Sequence, residues 1–125
     1  MPRLTRSAIG AIALVALLGA CGDDDEPGVA AQSCQPADAD LRVAGDDRLS
    51  FDAESYDADA GCVEITLVNE GVIAHTLLVE GYDGFKLSVG KSDSDRIELA
   101  AGTYRIFCDI AGHEAAGMEA ELVVG

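Results

Sequence analysis

Cys108-Asp109-Ile110-Ala111-Gly112-His113-Glu114-Ala115-Ala116-Gly117-Met118 offers one thiol, one imidazole and one thioether, with four residues between successive donors. Thiolate and thioether are soft ligands that favour Cu(I), and imidazole serves both oxidation states of copper. Two His and one Cys in a trigonal plane, with a long, weak axial Met, form the copper arrangement used for electron transfer. The stretch supplies only one of the two imidazoles. The chain holds two His in all, so the other is His75. The candidate metal ligands are therefore His75, Cys108, His113 and Met118, and copper is the metal they suit. Zinc favours four firm tetrahedral N, S or O donors, for which Met is a poor fourth.

Strand phase tests whether these donors can converge. Side chains alternate across a strand, so every second residue shares a face. In Thr103 to Cys108, Tyr104, Ile106 and Cys108 share a face; in Met118 to Val124, Met118, Ala120, Leu122 and Val124 do. In His75 to Glu80, His75, Leu77 and Val79 share a face. All three ligands fall on the apolar set of their strands, as a site capping a core requires. His113 lies between strands and is expected near the surface.

The order Cys, His, Met between two strand-like segments resembles the ligand loop of the cupredoxins, the plastocyanin and azurin family. Ala101-Gly102-Thr103-Tyr104-Arg105-Ile106-Phe107 is similar to their penultimate strand, Glu119 to Val124 to their last, and Val68-Asn69-Glu70-Gly71-Val72-Ile73-Ala74-His75 to their first-ligand segment. The resemblance covers residues 61–125 well and the earlier part poorly. Two positions depart from it. Family members often have Pro before the Gly-His pair, where this chain has Ala111, and many have Asn after the first His, where it has Thr76. Thr can still donate a hydrogen bond, with a shorter reach. Neither change removes a ligand. The resemblance implies a mononuclear blue-copper electron carrier rather than an enzyme. No spare His remains for the second metal site an enzyme such as nitrite reductase needs. A copper-binding or copper-delivery protein is the alternative.

Upstream, the chain reads as an address. Arg3 and Arg6 precede an apolar run from Ala8 to Ala20, followed by Cys21. A positive start, a short apolar core and small residues before a break are the pattern of a secretory signal. The run is short of the ~20 apolar residues of a membrane-spanning helix. Leu18-Gly19-Ala20-Cys21 is similar to the bacterial lipoprotein signal, with Cys21 as the lipidated residue. The expected organisation is a signal peptide over residues 1–20, a lipidated Cys and acidic linker over 21–33, and a cupredoxin-like domain over 34–125. The linker, with Asp23, Asp24, Asp25 and Glu26 beside Pro27 and Gly28, is too polar to bury. The protein is expected outside the cytoplasm, tethered to a bacterial membrane and facing the periplasm or the exterior.

Charge narrows the partners. The whole chain carries a formal charge of −15, and without Arg3 and Arg6 it carries 6 basic and 23 acidic side chains, or −17. That excludes nucleic acid, whose binding rests on Lys and Arg contacts to phosphate. Electrostatic adhesion to anionic lipid is disfavoured in the same way. The resemblance implies redox partner proteins docking on an uncharged rim beside His113, formed by Val72, Ile73, Ala111, Ala115 and Ala116. Asp109 and Glu114 flank that rim, so a basic partner face is expected. A monomer is expected.

Of four Cys, Cys21 is assigned to lipid and Cys108 to metal. Cys34 and Cys62 remain, an even number in an exported chain, and a disulfide between them is expected; two free thiols or a second copper site are the alternatives.

Turn residues recur at short intervals after Cys34, which implies an all-β Greek-key sandwich of about seven to eight strands. Strands are expected at Leu41 to Val43, Leu49 to Ala53, Cys62 to Asn69, His75 to Glu80, Arg96 to Leu99, Thr103 to Cys108 and Met118 to Val124. Phe85 to Val89 is a weak strand or a loop, and Asp57 to Gly61 a loop. A short helix is conceivable at Ser92 to Asp95 or near Asp57.

Overall fold

The strongest alternating stretch sets the frame. In a computed structural model, which describes residues 34–125, β3 (Gly61–Asn69) places Val63, Ile65 and Leu67 at 0 % exposure. Glu64 and Thr66 point the other way. β3 is the centre of a three-stranded sheet, parallel to β1 (Ala39–Gly45) and antiparallel to β6 (Ser92–Leu99). Its outer face is tied by cross-strand pairs. Arg96 Nε donates to Glu64 Oε2 at 2.9 Å, and the Thr66 and Ser94 hydroxyls lie 2.8 Å apart.

The second sheet has five strands, in the order β2 (Ser55–Ala58), β8 (Glu119–Val124), β7 (Gly102–Phe107), β4 (His75–Val79), β5 (Lys86–Val89). β2 runs parallel to β8; the other neighbours are antiparallel. The two sheets close over Ile65, Leu77, Leu87, Ile97, Ile106 and Leu122, all 1 % exposed or less. The architecture is the all-β sandwich the sequence implies, with eight strands among the described residues. Cys34 and Cys62 are joined by a disulfide with S–S 2.00 Å and Cα atoms 5.6 Å apart. Beside it, Asp38 N–H donates to the Cys62 carbonyl at 2.7 Å, and the Cys62 N–H donates to the Asp38 carboxylate at 2.9 Å. The signal, Cys21 and linker expectations lie outside the described residues.

Three local readings need correction. Leu49 to Ala53 is not a strand. Leu49 has φ 59°, in the left-handed region, and the segment turns back on β1 through a single bridge from Gly45 to Phe51. Asp46 holds this turn, accepting from the Arg48 N–H at 2.9 Å and the Ser50 hydroxyl at 3.2 Å. The strand lies further on, in β2, which takes in the start of the expected loop. Tyr56 is its core anchor, 9 % exposed, with its hydroxyl 2.5 Å from Asp52 Oδ1. Ser92 to Asp95 is the first half of β6 rather than a helix. This half is an edge ladder on β3 and needs no apolar residues of its own.

Candidate metal centre

β4 and β7, neighbours in the larger sheet, deliver two of the four donors to one end of the sandwich. His75 opens β4 and Cys108 follows the last residue of β7. The chain between Cys108 and β8 is a run of tight turns. Ile110 O accepts from the His113 N–H at 3.0 Å, and His113 O accepts from Met118 N–H at 3.0 Å. The loop is closed at its base by the Cys108 N–H donating to Met118 O at 3.1 Å. Gly112 and Gly117 have φ 84° and 107°, a conformation open to Gly at little cost. These turns fold His113 back over Cys108 with Ala111 ahead of the Gly112-His113 pair.

The donors meet. The ligating atoms of His75, Cys108 and His113 all lie within 4.8 Å of one another. Cys108 Sγ is 3.5 Å from His113 Nδ1, and the two imidazoles meet edge-on with centroids 5.4 Å apart. Met118 borders the same space: a Cβ built on Gly45 would lie 2.8 Å from Met118 Cε and 3.0 Å from His75 Cδ2. Cys108 and Met118 are 0 % exposed, His75 1 % and His113 7 %. His113 is thus more buried than its loop position suggests, though it is the most exposed of the four candidate donors.

Both ring nitrogens of His75 are buried and without a hydrogen-bond partner. A buried polar group left unpaired costs about 1–3 kcal/mol, so such a group asks for a partner. Desolvation holds the His75 imidazole below the ordinary histidine range, and His113 adds to that. The Asp46 backbone and the Asp47 and Asp46 carboxylates oppose the shift, although no hydrogen bond forms. A neutral imidazole is the form that binds metal. Two imidazoles, one thiol and one thioether in a dry pocket fit one mononuclear copper ion.

Two groups of residues support the site that the sequence left unassigned. Gly45 is one: its missing side chain makes room for Met118 and His75. Nothing in the sequence beyond a Gly at a strand end marks it. The other is Asp47, whose carboxylate accepts from the N–H groups of Val72 and Ile73 at 2.8 and 2.9 Å. These bonds hold its carboxyl below the usual carboxylate range. They also fix the loop before His75, where Val72 (92 %) and Ile73 (39 %) are the exposed large hydrophobics. Ala111, Ala115 and Ala116 are exposed on the other ligand loop. Asp109 and Glu114, expected to flank the rim, are each paired with a cation. Lys86 Nζ lies 2.8 Å from Asp109, and Arg105 Nη2 lies 3.0 Å from Glu114.

The sulfocyanin (SoxE) domain family matches residues 64–125, just under half of the chain. No curated protein matches the sequence at significance. Among solved structures, auracyanin B is 20 % identical with a TM-score of 0.62, covering 77 % of this chain and 96 % of that one. Auracyanin A, a "blue" copper protein from the green thermophilic photosynthetic bacterium Chloroflexus aurantiacus, is 16 % identical with a TM-score of 0.54, covering 69 % and 98 %. An azurin from the methylotroph Methylomonas sp. strain J is 12 % identical with a TM-score of 0.59, covering 71 % and 99 %. Each neighbour is matched over nearly its full length by the sandwich described above. The chain therefore has the fold of the auracyanins and of azurin, with His75, Cys108, His113 and Met118 gathered at one end of the sandwich.

Proposed function

We propose that this chain is a mononuclear blue-copper electron carrier, with His75, Cys108, His113 and Met118 as the copper ligands. The observation that carries the reading is the buried cluster of donors around an imidazole whose own nitrogens have no other partner. Bound copper would supply a one-electron couple between Cu(I) and Cu(II). The chain's own contribution is to hold the four donors still. Cys108 and Met118 are clamped to each other through the backbone at the loop base, and His75 is fixed by β4 and by the Asp47-braced loop. A frame that does not rearrange keeps the cost of gaining or losing an electron small.

Electrons would enter and leave at the His113 end, past Val72, Ile73 and the three alanines. Redox partner proteins are the partners this surface suits. Because Asp109 and Glu114 already hold cations, attraction of a basic partner would rest on the other carboxylates of the chain. The address at the N-terminus supports anchoring through lipidated Cys21 on the outer side of a bacterial membrane, with residues 34–125 as the copper domain.

Burial of all four donors favours retention of copper over its delivery. The test is a redox titration of the copper-loaded protein with a Cu(I) chelator present. An electron carrier cycles repeatedly with its copper retained. A protein that surrenders its copper to the chelator on first reduction is a delivery protein, and the proposal fails.

A further inference from the structure

The hydroxyl of Thr76 has two acceptors and one proton. Oγ1 lies 3.4 Å from Cys108 Sγ and 2.7 Å from Asp109 Oδ1. Oγ1 is itself an acceptor, taking the Asp109 N–H at 3.0 Å. On its far side the Asp109 carboxylate is gripped by Lys86 Nζ at 2.8 Å through Oδ2. A hydrogen bond to a carboxylate oxygen at 2.7 Å is strong and charge-assisted. Contact with a sulfur at 3.4 Å is weaker, because sulfur is a poor acceptor. The carboxylate therefore wins the proton. Besides His113 Nδ1 at 3.5 Å, the sulfur keeps the backbone N–H of Thr76, also at 3.4 Å.

We propose that Asp109, held by Lys86, is a positioning residue that withholds the Thr76 hydroxyl from the Cys108 sulfur and thereby lowers the reduction potential of the site. The inference rests on the copper reading above. Hydrogen bonds around a ligating cysteine sulfur tune the potential of such centres. The reduced site carries more negative charge on sulfur than the oxidised one. A donor to sulfur thus favours the reduced form, and removing one favours the oxidised form.

Losing the Asp109 charge would by itself also favour the reduced form, so a single variant cannot separate the two effects. A double-mutant cycle does. Its four proteins are wild type, Thr76→Val, Asp109→Ala and the double variant, each copper-loaded and titrated against the same redox buffer. The charge effect of Asp109→Ala acts in either background, whereas the hydroxyl effect needs Thr76. Asp109→Ala is expected to shift the equilibrium toward the reduced form by about tenfold, which is ~59 mV for one electron. At least threefold of that shift should vanish when Val replaces Thr76. Asp109→Asn is a second, milder variant on this exposed position. Its amide oxygen would face Lys86 and its NH2 would face Thr76, turning the hydroxyl to the sulfur, so the same threefold coupling is expected. Couplings below threefold in both cycles would overturn the inference while leaving a blue wild type intact. A colourless copper-loaded wild type would sink the copper reading and this inference with it.

Discussion

Gly45→Ala tests the packing behind Met118 and His75. The added methyl would sit 2.8 Å from Met118 Cε and 3.0 Å from His75 Cδ2. Carbon atoms in relaxed contact sit about 3.5–4.0 Å apart, so one partner must retreat by roughly 1 Å. Gly45 itself has little freedom. Its carbonyl accepts from Glu70 N–H at 2.9 Å, it pairs with Asn69 in the β1–β3 register, and it bridges to Phe51. The strain therefore falls on Met118 and His75. Overpacking of this kind costs about 1–3 kcal/mol. For a domain of this size each kcal/mol moves Tm by about 4–8 °C, so the metal-free variant should melt about 4–24 °C lower. In the copper-loaded variant the thiolate-to-copper absorption should change as well, because Met118 or His75 has moved. Circular dichroism melts and visible spectra of the two proteins decide it. A melt and a spectrum indistinguishable from wild type would refute the reasoning.

Other expected outcomes follow from the same geometry. Breaking the Cys34–Cys62 bridge, 28 residues apart, by replacing both with Ser should cost about 3.6 kcal/mol in the chain-entropy relation; urea unfolding measures it, and an unchanged midpoint would contradict it. Met118→Gln should retain copper and lower the potential, since a firmer axial oxygen donor favours Cu(II); an unchanged potential would show that Met118 is not axial. Asp47 has a folded pKa below its unfolded value of about 3.9, so its contribution is present above that pH and fades as pH falls through the folded pKa. Asp47→Asn should therefore be less stable than wild type at neutral pH, with the gap closing below about pH 4; a gap independent of pH would rule out the charged bonds to Val72 and Ile73.

The meeting of His75, Cys108, His113 and Met118 was legible because they are rare residue types at fixed spacing, on strands whose apolar phase is strong. Val63, Ile65 and Leu67, or Ala120, Leu122 and Val124, declare their buried face without help from the fold. The misread parts lack that signal. β2 has Tyr56 as its one large apolar residue, and Ser92 to Asp95 has none; both are ordered by ladder bonds to strands distant in sequence. Leu49 and Phe51 alternate like a strand, but the Asp46 side chain closes a tight turn around Leu49 instead. Gly45 behind Met118, and Lys86 behind Asp109, are meetings of residues far apart in the chain, and single-sequence patterns do not carry them. Thr76 stood out as a departure from the family pattern. Its division between Cys108 and Asp109 depends on distances that only the folded chain fixes.

A crystal of the copper-loaded protein, measured on both sides of the copper absorption edge, tests the central claim most directly. One anomalous peak should appear, bonded to a ring nitrogen of His75, a ring nitrogen of His113 and Cys108 Sγ, with Met118 Sδ at a longer distance. A peak elsewhere, or one that leaves out any of the three close donors, would contradict it.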